Sequence, residues 1–134
     1  MKGATIIPTM RYHDAATAIE WLGKVFGFES RMVVPGDGGS IMHAQLTLGN
    51  GMVMLSSARS TEYDEYVKPP GDIGGIGTQS AYIFVEDLNA HYEHTVAAGG
   101  DVVLPLKTED TRSGYSCRDP EGHLWNFGDY NPWA

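Results

Sequence analysis

Asp14-Ala15-Ala16-Thr17-Ala18-Ile19-Glu20-Trp21-Leu22-Gly23-Lys24-Val25-Phe26-Gly27 decides the fold, because the same plan returns at Asp87. Asp14 reads as a helix cap, since a short carboxylate suits the unpaired N–H groups of a first turn. Ala15, Ala18, Ile19, Leu22, Val25 and Phe26 recur at the spacing of one helical face, and Gly27 supplies the stop. Upstream, residues 5–10 read as a strand. In the second half residues 81–85 read as a strand, Asp87 as a cap, Leu88, Tyr92 and Val96 as the helical face, and Gly99-Gly100 as the stop. Asp14 to Gly27 and Asp87 to Gly100 cover equal lengths of sequence, so the chain reads as two copies of one unit.

Outward from each helix the pattern changes from helical to strand periodicity. Residues 28–34 are rich in β-branched and aromatic side chains, 43–48 alternate polar and apolar, and Asn50-Gly51 is a hairpin signal leading to 52–56. In the second half the strands fall at 102–106, 115–119 and 124–127, the last two flanking the turn Pro120-Glu121-Gly122. Each half is therefore βαβββ. The expectation is one α+β domain over residues 1–134, with module 1 at about 4–60, a Pro- and Gly-rich linker at about 61–78, and module 2 at about 79–130.

Strand alternation gives each sheet a helix-covered face and a second face. His43, Gln45 and Thr47 oppose Ala44, Leu46 and Leu48, while Met52, Met54 and Ser56 oppose Val53 and Leu55. A face mixing His, Gln, Met and Ser suits a ligand wall; a half-exposed sheet or a dimer contact has the same composition.

Composition removes several classes of function. A formal charge of -8 over 134 residues repels phosphates, so neither nucleic acid nor an anionic membrane surface is an expected partner. No apolar stretch approaches the roughly 20 residues that span a bilayer, and the first residues do not read as a secretion signal. The single cysteine, Cys117, forms no internal disulfide; the chain reads as cytoplasmic and this thiol as a packed strand residue rather than a nucleophile.

The paired βαβββ units, the turn in Asp119-Pro120-Glu121-Gly122-His123-Leu124-Trp125-Asn126-Phe127, and the helix 18–28 together resemble the vicinal oxygen chelate superfamily. It includes glyoxalase I, extradiol dioxygenases, fosfomycin-resistance enzymes and bleomycin-binding proteins. The resemblance covers nearly the whole chain. It implies curved sheets with helices outside and a cavity on the concave faces, and often a homodimer, sometimes with modules exchanged between chains. On that geometry His43, Gln45, Met52, Met54, Ser80, Tyr82, Ser116 and Asn126 line the cavity, while Ala81, Ile83, Cys117, Trp125 and Phe127 pack under the helices. Arg118 shares the Ser116 face.

Family enzymes hold a divalent metal on the first and last strand of each module, usually through His and Glu. The matching positions here are Ile7, Met54, Ser80 and Asn126, with Thr9, Leu55, Ala81 and Phe127 as neighbours, and neither set supplies good ligands. No metal or other cofactor is therefore expected; the alternative is a divalent ion on misaligned residues. His91 and His94 read as a solvated helix face or, with a further ligand, as a metal pair. His13 and His123 read as cap and turn residues. His43 reads either as a structural imidazole or as a ligand-orienting group and general base.

The leading expectation is a metal-independent protein that binds, and possibly sequesters, a small aromatic or heterocyclic molecule. The alternatives are a glyoxalase-like lyase, isomerase or dioxygenase using a metal or His43, and a dimerisation module without ligand.

Overall fold

Asp14 caps the first helix through its side chain, which accepts from the backbone N–H of Thr17 at 3.1 Å. Gly27 ends it in the left-handed region at φ 91°, which favours a residue without Cβ. Helix α1 (Ala15–Phe26) connects β1 (Thr9–Tyr12) to β2 (Glu29–Pro35), β3 (Ile41–Leu48) and β4 (Gly51–Ser57). The second module repeats this order as β5 (Ala81–Phe84), α2 (Leu88–Ala97), β6 (Asp101–Glu109), β7 (Arg112–Arg118) and β8 (Leu124–Gly128). These elements come from a computed structural model in which residues 2–134 are described.

The strands form two four-stranded sheets, ordered β1-β4-β3-β2 and β5-β8-β7-β6. The β1–β4 and β5–β8 pairs are parallel and the other neighbours antiparallel, so the α+β fold of two βαβββ modules is as the sequence implies. Short 3-10 turns at Glu62–Glu65 and Pro70–Ile73 lie in the connection between them.

Helix α1 contributes Ala15, Ala18, Leu22, Val25 and Phe26 to the core, and each of the larger side chains stabilises by about 1.5–3 kcal/mol through burial. The core is shared between modules. The Phe26 ring of α1 lies 4.8 Å from Phe127 and 5.8 Å from Trp125, both on β8 of the other module. Trp125, Phe127 and Cys117 are buried, with Ala81 and Ile83 packed against them.

Several elements depart from the sequence reading: β6 runs on to Glu109 and β7 begins at Arg112, past the expected 102–106 and 115–119, and two further departures have a clear cause. Strand β1 begins at Thr9, later than expected, because Pro8 has no N–H for a ladder and contributes only its carbonyl, which accepts from the Met54 N–H. Helix α2 buries Leu88 and Thr95, whereas Val96 is half exposed. Its inner face is turned by polar contacts. His91 Nε2 donates to the Phe26 carbonyl at 2.9 Å and His94 Nε2 to the Lys24 carbonyl at 2.8 Å. The Thr95 hydroxyl approaches the Val25 carbonyl at 3.4 Å. These three side chains therefore serve the last carbonyls of α1, which no intrahelical N–H can reach. His91 and His94 thus both tie the modules together, His91 part-buried and His94 with its ring still exposed to solvent.

Candidate functional site

Register assigns the open face of the first sheet. Thr9 pairs with Met54, Met54 with Gln45, and Gln45 with Met32, a row across all four strands. The adjacent row carries Arg11 beside Ser56 and His43 beside Val34. His43, Gln45, Met52 and Met54 thus share one face, half-buried. The Gln45 amide nitrogen lies 3.1 Å from His43 Nε2. An amide N–H only donates, so Nε2 is the acceptor and Nδ1 carries the ring proton.

One corner of this face is covered by the connection between modules. Arg11, buried, donates to both carboxylate oxygens of Asp64 at 3.0 and 3.3 Å, to Thr61 Oγ1 at 3.3 Å, and to Ser56 Oγ. Its guanidinium also sits 4.8 Å from the Tyr63 ring centroid, and the Tyr63 hydroxyl is 2.9 Å from Thr9 Oγ1. The Thr61 hydroxyl first, and Arg11 after it, hold the Asp64 carboxyl well below the usual carboxylate range. This cluster lies outside the set named from sequence, because it depends on where β1 begins.

The open face of the second sheet is knit by Asn126. Ser116 Oγ donates to Asn126 Oδ1 at 2.7 Å, and Asn126 Nδ2 donates to Ser80 Oγ at 2.8 Å and to the Ala81 carbonyl at 2.9 Å. Tyr82, half exposed, pairs with Asn126 across the strands and donates its hydroxyl to the Tyr130 carbonyl at 2.7 Å.

The eight residues named from sequence therefore fall into two groups. His43, Gln45, Met52 and Met54 share the first sheet, and Tyr82, Ser116 and Asn126 the second, with Ser80 just before β5; among the described residues no hydrogen bond joins the two groups. Only the edges of the two groups meet. Met52 and Tyr82 both line a cleft of about 890 Å³ between the modules, and Ser80 lines another of about 390 Å³ beside Thr9, Tyr63 and Lys68. Arg118 lines a third cleft of about 390 Å³ with Asp101 and Glu121.

The four strand positions expected to hold a metal do not fit one. Ile7 has no donor and Met54 offers only a thioether. The Asn126 oxygen and nitrogen are taken up by Ser116, Ser80 and Ala81.

Two mixed sheets, each formed by a βαβββ module and joined through one core, define the class to which this chain is similar. The model of the Glyoxalase/Bleomycin resistance protein/Dioxygenase superfamily matches residues 7–127, and the chain belongs to that superfamily. The uncharacterized protein Mb0911c of Mycobacterium bovis (strain ATCC BAA-935 / AF2122/97) is 30% identical over 122 residues, 90% of this chain and 80% of that protein. The crystal structure of TioX from Micromonospora sp. ML1 is 31% identical, with a TM-score of 0.73 over 96% of this chain and 100% of that one. The crystal structure of UcmS2 is 21% identical, with a TM-score of 0.77 over 97% and 100%, a likeness of fold alone.

Proposed function

We propose that this protein binds a small, uncharged or cationic organic molecule without a metal ion, in the manner of the binding members of its superfamily rather than of the metal-dependent enzymes. The observation that carries this reading is the state of Asn126. Its amide is spent within the protein on Ser116, Ser80 and Ala81, where a metal enzyme of this fold would need a free anionic or imidazole donor. The soft and polar side chains of the first sheet face, Met54, Gln45 and Met32 in one row, are suited to an organic surface. A net charge of -8 favours a ligand that is not anionic.

His43 is a ligand-orienting group in this reading. To act as a base through Nε2 it would first have to lose the Gln45 amide that occupies that lone pair. The separation of the two polar groups supports a homodimer in which one chain's first sheet meets the other's second. The buried lone thiol suits work in the cytoplasm.

The test is metal analysis of protein purified without chelators, combined with thermal-shift screening against neutral and cationic heterocycles. Metal-free protein stabilised by a compound, with the gain reduced in Gln45→Ala, is expected. A tightly held stoichiometric divalent ion, or no stabilising compound, would overturn the proposal.

A further inference from the structure

We propose that the 890 Å³ cleft between the modules is a chamber for a planar aromatic group, with Tyr82 and Phe84 as its platform and Trp133 as the indole that closes over it. This rests on the reading that the protein binds a small molecule, and adds to it a place and a ligand shape.

Tyr82 and Phe84 are two apart on β5 and so share a face, where they remain 46% and 39% exposed. The Tyr82 ring crosses β8 over Gly128. A Cβ at that position would stand 2.6 Å from the Tyr82 hydroxyl oxygen and 2.8 Å from a ring carbon, so only glycine lets the ring lie there. The register partner of Gly128 on β7 is Gly114, which leaves that strip of sheet bare. A ring laid on a smooth backbone floor presents its other side to a ligand.

The C-terminal tail lines the same cleft through Asn131, Pro132 and Trp133. Tyr82 holds it by donating to the Tyr130 carbonyl, and the Arg112 guanidinium packs 4.0 Å from the Tyr130 ring centroid. The backbone N–H of Trp133 then donates to Asn131 Oδ1 at 2.9 Å, a local turn that leaves Trp133 at the cleft and 96% exposed. The tail is thus tied to the second sheet at Tyr130 while its largest apolar side chain covers nothing. A ligand between Trp133 and the Tyr82–Phe84 platform would remove that surface from water on both of its own sides. Glu86 is among the residues lining the cleft and no Lys or Arg is, so the ring it takes is neutral or cationic.

The experiment is calorimetric titration of the whole chain with 2-naphthol and with decahydro-2-naphthol, both neutral and alike in heavy atoms, one planar and one puckered. We expect saturable binding of 2-naphthol at one site per chain and weakening of about tenfold for the saturated analogue. Trp133→Ala and Tyr82→Leu should each weaken 2-naphthol by about tenfold, and Trp133→Ala should leave the melting temperature unchanged. Gly128→Ala, which pushes the ring off its floor, should do the same as Tyr82→Leu. Equal binding of the two alcohols, no saturable binding, or affinity unchanged in Trp133→Ala and Tyr82→Leu would overturn the chamber. A compound whose stabilising effect depends on Gln45 and not on Trp133 would leave small-molecule binding standing while removing this chamber.

Discussion

The Tyr12 hydroxyl of the first module donates to Asp119 Oδ2 of the second at 2.6 Å, in a place closed to solvent on both sides. The same carboxylate accepts from Trp125 Nε1 at 3.1 Å, and its other oxygen from the backbone N–H groups of Glu121 and His123. Burial first, and then the Asp119 charge, keep Tyr12 protonated far above the usual phenol range. Tyr12→Phe removes one donor from a buried carboxylate and is expected to cost about 1–3 kcal/mol. Urea denaturation measures it: the midpoint should fall with the slope unchanged. Asp119→Ala, which strands the donors of two modules, should lower the midpoint further.

Stability should rise with pH through the weakly acidic range because of His91. Its Nε2 donates to Phe26, so its Nδ1 accepts from the Tyr115 hydroxyl at 2.6 Å, and the ring must be neutral to do both. Burial lowers its pKa below the ordinary imidazole value, so the unfolded chain binds the extra proton first. The contribution is complete above about pH 6.5 and is lost as pH falls from there toward the folded-state value. Urea midpoints at pH 5 and pH 7 should differ in the wild type, and the difference should shrink in His91→Gln.

Limited proteolysis should report on the Arg11–Asp64 pair. Asp64→Asn leaves the buried guanidinium without its counter-charge, and the 3-10 turn Glu62–Glu65 loses its fastening to β1. Cleavage within residues 58–80 should become faster while the rest of the chain stays resistant. Cleavage at the wild-type rate would show that the pair does not hold the connection.

Cys117 should be chemically silent in the native state. It is fully buried, and burial, ahead of the nearby Asp101 and Asp119, pushes its thiol up to about 11. An aromatic disulfide reagent at pH 8 should therefore titrate no thiol in native protein and one in denaturant.

Local chemistry made much of this fold legible. Caps at Asp14 and Asp87, the glycines that end the helices and the β3–β4 hairpin are decided by residues close in sequence, although the two turn residues are Gly49 and Asn50, one position before the Asn50-Gly51 pair expected. The start of β1 and the inner face of α2 were misread because Pro8 and Thr95 take their roles from strands and carbonyls far along the chain. The candidate site divides in the same way. Period-two alternation found His43, Gln45 and Met54, and the family resemblance named Asn126, but neither showed that Asn126 is spent on Ser80 and Ser116. Arg11, Phe84 and Gly128 carried no local signal at all. Their significance arises from the placement of Asp64 and Tyr82, which only the β1–β4 and β5–β8 registers determine.

The helix-end contacts of His91 and His94 bear on how two such units came to depend on each other. Four and seven residues past its cap the second helix carries these imidazoles, where the first carries Ala18 and Trp21. Two residues before its cap the first unit has Tyr12, where the second has Val85. Each half thus owns one side of a lock whose other side exists only in its sibling. Two copies of the first half would leave Lys24 facing an indole and Phe26 an alanine, and two copies of the second would leave Asp119 without a phenol. If the halves descend from a self-pairing ancestor, their divergence has closed that route, and neither half is now a spare for the other.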